Sequence, residues 1–217
     1  MTFFQQILLA LALAGASLGA EPVTPERTSG STRQLTIRIY DYAHIHPKLQ
    51  EKASTQATKI LANAGIRVRW EQCRTSDAET NRDASCTQRV GPGLIQLRIH
   101  PRDMAKKNTR RAIEFGYSLP LAEGKFGTVA GVYLDRTQAM TRGLGMDLHV
   151  VLGHTIAHEI GHLLLGTGSH AARGIMRPTW KDREIRLAPS GILGFTDEQA
   201  QRMQEQVAAR LAGESGI

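Results

Sequence analysis

The segment from Leu148 to Leu165, LHVVLGHTIAHEIGHLLL, constrains the fold more than any other part of the chain. Nearly every face of this helical stretch is apolar, which is typical of a helix buried among other elements. Asp147 precedes it as a candidate N-cap, and Gly166 ends it. We therefore expect a helix at the centre of the fold.

Among the polar residues of this apolar helix, two histidines and a glutamate form the motif H-E-x-x-H. His158 and His162 are four residues apart, so their imidazoles lie one turn above each other and can bind one ion. Glu159 is offset round the helix, where it can hold a metal-activated water and take its proton as general base. The alternative is that both histidines are core residues bonded to backbone carbonyls. A metal is favoured because it offsets the burial of these polar groups.

A third ligand is expected from the chain beyond the helix. His170 follows Gly166 closely, and glycine can adopt the positive φ that turns the chain back beneath the site. Asp182 and Glu184 are the rival ligands. Three protein ligands leave one position for water, which is the catalytic arrangement of Zn²⁺. His154 is either a packing residue or an outer partner of the site in this interpretation, because two rings eight residues apart cannot both reach one ion.

The segment HEIGHLLLGTGSHAARGIMRP resembles the zinc-binding region of the metzincin clan of metallopeptidases, and most closely that of small secreted bacterial metalloproteases. That clan has the consensus H-E-x-x-H-x-x-G-x-x-H, followed by a turn with a methionine under the zinc. His158, Glu159 and His162 match directly. Gly166 and His170 match with shifted spacing, since His170 comes eight residues after His162 instead of six. The resemblance implies that Met176, in the segment GIMRP, is the methionine of this Met-turn.

The resemblance also implies a metzincin-like α/β fold with a twisted mixed sheet of four to five strands, a backing helix, a central zinc helix and a C-terminal helix. Some metzincin families place a tyrosine after the Met-turn, and this chain has none after Tyr133. Zinc itself would then supply most of the stabilisation of the oxyanion.

Alternating apolar residues predict strands in the same order as in that clan. The first two strands flank a helix, which predicts parallel pairing. The fourth strand is interrupted by glycines, and we expect it to face the zinc helix across a cleft and to accept a substrate strand at its edge. The predicted elements are strands at Gln34–Tyr42, Ile66–Glu71, Gly93–His100 and Gly127–Leu134, a short strand at Phe115–Leu119, and helices from Pro47 to about Ala64 and from Thr196.

The chain begins with an apolar run that ends in small residues, which is typical of a signal peptide over residues 1–20. Residues 21–33 are rich in Pro, Ser, Thr and Gly and are expected to be a flexible lead-in, and residues 34–217 a single metallopeptidase domain. Cys73 and Cys86 are the two cysteines, and in an exported chain they predict one disulfide bond. We therefore expect a secreted or periplasmic protein without a stable membrane anchor.

The formal net charge is +7, from 27 Lys and Arg against 20 Asp and Glu. The basic residues are scattered without a nucleic-acid motif, and no phosphate-binding loop occurs, so we expect no nucleic-acid partner and no cofactor besides zinc. The expected activity is that of a monomeric zinc endopeptidase acting on proteins or peptides. Two alternatives stay open at this point: a noncatalytic secreted module that contains zinc, and a zinc hydrolase that cleaves the peptide cross-links of a cell wall.

Overall fold

The structure is a computed structural model of the full chain, and it describes residues 34–73, 75, 86, 91–101, 115–119 and 126–214. The predicted signal peptide and lead-in lie outside the described residues. In the part of the chain that is described, no helix is both long and apolar enough to span a membrane.

Five strands form one mixed sheet in the order β2-β1-β3-β5-β4. The four strands β1, β2, β3 and β5 run parallel to one another, and β4 pairs antiparallel with β5 at one edge. This confirms the α/β class and the mixed sheet expected from the sequence. The strands are β1 (Leu35–Asp41), β2 (Val68–Cys73), β3 (Leu94–His100), β4 (Gly116–Leu119) and β5 (Val129–Tyr133).

Five α-helices and one short 3₁₀ turn are described around this sheet. The first connects β1 to the parallel strand β2, and the third is the apolar helix that carries the histidines. The helices are α1 (Pro47–Asn63), α2 (Leu134–Leu144), α3 (Leu148–Leu165), α4 (Asp182–Arg186) and α5 (Asp197–Glu214), and the 3₁₀ turn is Ala188–Ser190.

The core lies between α3 and one face of the sheet. Alternate residues of the strands, such as Ile37, Leu97 and Val132, are fully buried, as the period of two requires. Helix α3 contacts α1 on one side and β4 and β5 on another, and it is buried over almost its whole length. The prediction of a central helix is confirmed.

The position of β5 corrects one expectation. The strand Gly127–Leu134 was expected to offer a free edge to substrate, but β5 (Val129–Tyr133) lies inside the sheet, between β3 and β4. The short strand β4 occupies the edge instead, because the chain reverses direction and pairs antiparallel with β5. The edge strand that contacts α3 therefore consists of residues Gly116–Leu119.

The ends of α3 and α5 are stabilised in different ways. Asp147 occupies the N-cap position of α3 as expected, but its side chain makes no capping hydrogen bond with the helix. The capping box of the last helix is present: Thr196 N donates to Gln199 Oε1 at 3.0 Å, and Gln199 N donates to Thr196 Oγ1 at 3.3 Å.

Two arginines of α5 bind the C-terminal end of α3. Arg210 is fully buried and donates from Nη2 to Leu163 O at 2.6 Å and from Nη1 to Pro92 O at 3.1 Å. Arg202 donates from Nη2 to Leu165 O at 3.3 Å. Burial lowers the pKa of Arg210 to about 10, so it is charged at neutral pH. A cation at the carbonyl end of a helix is favourable for the helix dipole.

A disulfide bond joins Cys73, at the end of β2, to Cys86, with a Cα–Cα distance of 5.8 Å. This agrees with the pairing predicted from the two cysteines. A bond that closes a loop of this size stabilises a folded chain by roughly 3 kcal/mol, mainly by restricting the unfolded state.

Candidate metal centre

His158 and His162 point into one site from adjacent turns of α3. Their Nε2 atoms are 3.0 Å apart, and their rings meet edge to face with centroids separated by 4.6 Å. Two imidazoles in this arrangement can share a hydrogen bond or bind a common cation. The spacing of four residues predicted this convergence.

His170 reaches the same site from the turn after α3. Gly166 and Gly168 have φ values of +84° and +70°, in the left-handed region that glycine adopts without strain. The turn brings the His170 ring centroid to 4.7 Å from that of His162 and 5.6 Å from that of His158. One ring nitrogen of each histidine lies within 4.8 Å of those of the other two. His170 is exposed, which leaves one side of the cluster open to a ligand.

The hydrogen bond of His158 to the chain fixes which of its nitrogens can bind a metal. Its Nδ1 lies 2.7 Å from Ile175 O, and a carbonyl can only accept, so Nδ1 carries the proton and Nε2 keeps its lone pair. The same carbonyl accepts a hydrogen bond from Trp180 Nε1 at 2.9 Å. Nδ1 of His162 lies 2.7 Å from Ser169 Oγ. Outer partners of this kind orient metal-binding imidazoles.

Burial keeps the two helix histidines neutral. It lowers the pKa of His158 to about 4, opposed by the hydrogen bond to Ile175 O and assisted by the charge of His170. It lowers the pKa of His162 to about 3, with further lowering by the charges of His158 and His170. A cation binds the neutral form of imidazole, so both side chains are ready to act as ligands at neutral pH. Three imidazole nitrogens with one open side fit a catalytic zinc ion.

Glu159 is buried beside this cluster, with 5% of its surface exposed. Gly116 of β4 lies directly against it: a β-carbon at that position would lie 2.7 Å from both Cγ and Oε1 of Glu159 and 2.5 Å from Gly131 O. The absence of a side chain at residue 116 therefore leaves room for the Glu159 side chain between α3 and the edge strand. This places the carboxylate in the same cleft as His158 and His162.

The cleft has a volume of about 240 Å³ and lies between β4 and the segment after His170. Phe115 and Trp180 stack on one another in its wall, with ring centroids 6.4 Å apart and planes within 8°. Trp180 also meets His158 edge to face at 5.6 Å. The remaining lining residues are Gly116, Tyr117, Ser118, Thr155, Glu159, His162, His170, Arg177 and Pro178.

Met176 lies under α3 and is fully buried. A β-carbon on Gly161 would be 2.7 Å from Met176 Sδ and 2.7 Å from Phe195 Cε1, so the glycine lets the sulfur pack against the helix between its two histidines. The turn that holds Met176 contains Gly174 at φ +75°, and Met176 O accepts a hydrogen bond from Ala171 N at 2.8 Å. The methionine thus packs against the helix backbone next to His162.

Three other candidates lie outside the cluster. His154 is fully buried, its Nδ1 lies 2.8 Å from Val150 O, and its ring packs edge to face on Trp180 at 6.3 Å. Glu184 accepts from Arg177, while Asp182 begins helix α4. Among the described residues, the group of potential ligands that converges here consists of His158, His162 and His170.

The sequence interpretation missed Gly116, Trp180 and Arg177. Glycine 116 was part of a proposed short strand, but nothing local indicates that it would face Glu159. Trp180 and Arg177 follow Met176 closely in the sequence. An aromatic and a basic residue next to the predicted Met-turn were the only sequence features that could have indicated their place in the cleft. Their place in the cleft depends on tertiary contacts.

No family model matches the chain, and no curated protein matches it. Among solved structures, the crystal structure of archaemetzincin from Methanopyrus kandleri is similar, with a TM-score of 0.47 and 13% sequence identity. The match covers 83% of this chain and 99% of that one. At this identity and score, the likeness decides neither the family nor the activity of the chain.

Proposed function

We propose that the chain is a secreted zinc-dependent endopeptidase of the metzincin type. The observation that carries the proposal is the convergence of three histidine nitrogens within 4.8 Å of one another, next to a buried glutamate in an open cleft. Zinc-assisted hydrolysis can use three histidine ligands together with a carboxylate that does not bind the metal. The disulfide bond supports the extracytoplasmic location.

Zinc would be held by His158, His162 and His170. When bound, the ion supplies Lewis acidity, which lowers the pKa of water and polarises a peptide carbonyl. Met176 forms an apolar floor under the helix and contributes no ligand in this proposal.

Glu159 would act as general base and then as general acid. Its carboxylate takes a proton from the attacking water and returns it to the nitrogen of the leaving amine, so that no free hydroxide or amide ion is formed. Its burial against Gly116 restricts the carboxylate to a few positions, which is the condition for efficient proton transfer.

The edge strand β4 would align the substrate. Among the described strands β4 has one side without a partner, and an extended peptide can add there through main-chain hydrogen bonds, which places its backbone along β4 at the edge of the sheet. Because Gly116 and Ser118 lie in the cleft with Glu159, a peptide bound along β4 would pass directly by the carboxylate.

The proposal is tested by zinc analysis and by hydrolysis of a casein-type substrate. We expect one zinc per chain in the parent and in Glu159→Ala, with hydrolysis lost by at least about 100-fold in the variant. Hydrolysis by Glu159→Ala at the parent rate would refute the assignment of the base. Zinc binding without hydrolysis of any protein or peptide would favour the noncatalytic module, and turnover of cell-wall fragments alone would favour the cell-wall hydrolase.

A further inference from the structure

Arg177 lies in the cleft only two residues after Ile175, whose carbonyl orients His158. Besides the histidines, the charged residues that line the cleft in the described part of the chain are Glu159 and Arg177. The proposed function gives Glu159 a role in proton transfer, but gives none to Arg177. A cation this close to a hydrolytic centre requires a separate explanation.

The ion pair of Arg177 occupies only part of its guanidinium. Nη1 lies 2.5 Å from Glu184 Oε1, and the other carboxylate oxygen of Glu184 accepts Lys181 N at 2.8 Å. A guanidinium has five N–H donors, and within the described residues Nε and Nη2 of Arg177 have no hydrogen-bond partner. Since 29% of the side chain is exposed, these donors are accessible to a ligand.

Glu184 fixes Arg177 in place. This glutamate also bonds to the N-cap of α4, so the arginine is tied to an ordered helix start. An arginine whose Nη1 is already held by a glutamate loses less conformational entropy when it binds a second group. The planar guanidinium can bind a carboxylate with two parallel hydrogen bonds.

The surroundings favour an anionic group at this position. The stacked rings of Phe115 and Trp180 and the ring of Pro178 line the same cleft, and apolar walls strengthen the attraction between a cation and a bound anion. The segment 171–186 carries five basic residues against two acidic ones, and this excess attracts anions from solution. The basic residues are Arg173, Arg177, Lys181, Arg183 and Arg186.

We propose that Arg177 selects the substrate by binding a carboxylate next to the scissile peptide bond. The inference rests on the proposed function and specifies its substrate class: peptides that bring a carboxylate into the cleft beside the metal centre. That carboxylate has two possible sources, an Asp or Glu side chain and the C-terminus of a short peptide, and both would be recognised by the same fork.

The test separates binding from turnover by using the zinc-loaded Glu159→Ala variant. Three octapeptides of otherwise identical sequence are compared: one with a central Glu and an amidated C-terminus, one with Gln and the amide, and one with Gln and a free C-terminus. Trp180 lines the cleft, so its fluorescence reports binding. We expect one of the two carboxylate peptides to bind about 10- to 100-fold more tightly than the neutral peptide.

Adding Arg177→Gln is expected to reduce this preference to within about twofold, with zinc content unchanged. Arg177→Lys retains a positive charge for Glu184 but lacks the planar guanidinium, so it is expected to keep only part of the preference for a carboxylate. This variant replaces Arg177→Gln in the experiment if the glutamine variant is unstable. Arg173→Gln is the matched control, because Arg173 is exposed in the same segment outside the cleft lining; it is expected to keep the full preference.

Equal binding of all three peptides, or a preference that persists in Arg177→Gln, would overturn the inference. Arg177 would then serve only to tie its turn to Glu184. Hydrolysis is measured separately, with Glu159 present. If no peptide is hydrolysed but binding still prefers a carboxylate, the proposed function is refuted and the role of Arg177 stands. If peptides are hydrolysed but binding shows no carboxylate preference, the role of Arg177 is refuted and the proposed function stands.

Discussion

Gly116 of β4 and Glu159 of α3 lie against each other, and a β-carbon on the glycine would come within 2.7 Å of the carboxylate oxygen Oε1. Such a carbon would also meet Gly131 O at 2.5 Å, and that backbone atom cannot move aside cheaply because it belongs to an interior strand. The carboxylate is therefore the group that would be displaced.

We predict that Gly116→Ala lowers kcat by about 100-fold, because the displaced carboxylate no longer accepts the proton in good geometry. Zinc content is expected to stay at the parent level, since the atoms nearest to the added β-carbon belong to Gly131 and Glu159 and not to a histidine. Steady-state kinetics on a peptide and metal analysis of the same sample measure both quantities.

Gly143→Ala is the control for that change. Gly143 is exposed on α2 and its β-carbon would meet nothing within 4 Å, so this variant is expected to keep full activity and to gain about 0.5–1 kcal/mol of stability. Equal activity of the two alanine variants would show that residue 116 does not position Glu159.

We predict that Gly161→Ala destabilises the protein by about 1–3 kcal/mol, because the added methyl overlaps Met176 Sδ and Phe195 in a packed core. Met176→Leu conserves volume and is expected to lower the free energy of unfolding by less than about 1.5 kcal/mol. Urea denaturation measures both. The opposite order of the two effects would mean that the contact between Gly161 and Met176 is loose.

Trp180→Phe removes the N–H that shares the Ile175 carbonyl with His158, while keeping an aromatic ring in the cleft wall. We predict that zinc affinity falls about tenfold, because the carbonyl that orients the His158 ring is less firmly held. Competition with a chelator of known affinity measures this change.

Trp70→Phe is the matched control, since Trp70 Nε1 donates to Thr58 Oγ1 at 2.8 Å far from the cluster. This variant is expected to lose about 1 kcal/mol of stability and no zinc affinity. If both tryptophan variants changed zinc affinity equally, the effect would be one of general stability.

We predict that the zinc-free protein loses stability as the pH falls below about 6.5. Burial lowers the pKa of His154, His158 and His162 in the folded chain, so these residues take up protons first in the unfolded chain. Their contribution is complete above the unfolded pKa and is lost as the pH approaches the folded values, at up to about 1.4 kcal/mol per pH unit for each histidine. Urea denaturation at a series of pH values measures this slope.

His154→Leu is expected to reduce the slope by the share of one histidine. Thr155→Val is the control: its hydroxyl donates to Val151 O at 3.0 Å from the same buried helix, and it has no group that titrates in this range. It is expected to shift stability equally at every pH. An unchanged slope in His154→Leu would contradict the prediction.

Hydrophobic periodicity was enough to predict most of the elements that surround the site. The alternation in β1 and β3 and the apolar stripe of α1 reflect one-sided burial, which is visible in a single sequence. Helix α2 was not predicted, because its buried residues are Thr137 and Thr141 and it therefore lacks an apolar stripe. The antiparallel position of β4 depends on long-range pairing and leaves no local pattern.

The cluster itself was predictable in part. The spacing of His158 and His162 requires convergence on any helix, and the glycines after α3 indicated a turn that brings His170 back. The carbonyl of Ile175, by contrast, meets His158 and Trp180 only after the turn that holds Met176 has packed on Gly161. Relationships of that kind arise from the assembled core and have no signature in residue spacing.

The contacts of Arg202 and Arg210 with the last carbonyls of the histidine helix have a consequence for the order of assembly. Leu163 O and Leu165 O receive these donors only when helix α5 has docked. On a ribosome that helix emerges after all three histidines, so the end of α3 stays without its guanidinium partners until residue 210 has emerged. The end of α3 that carries His162 is thus completed by side chains that are synthesised later than the three histidines.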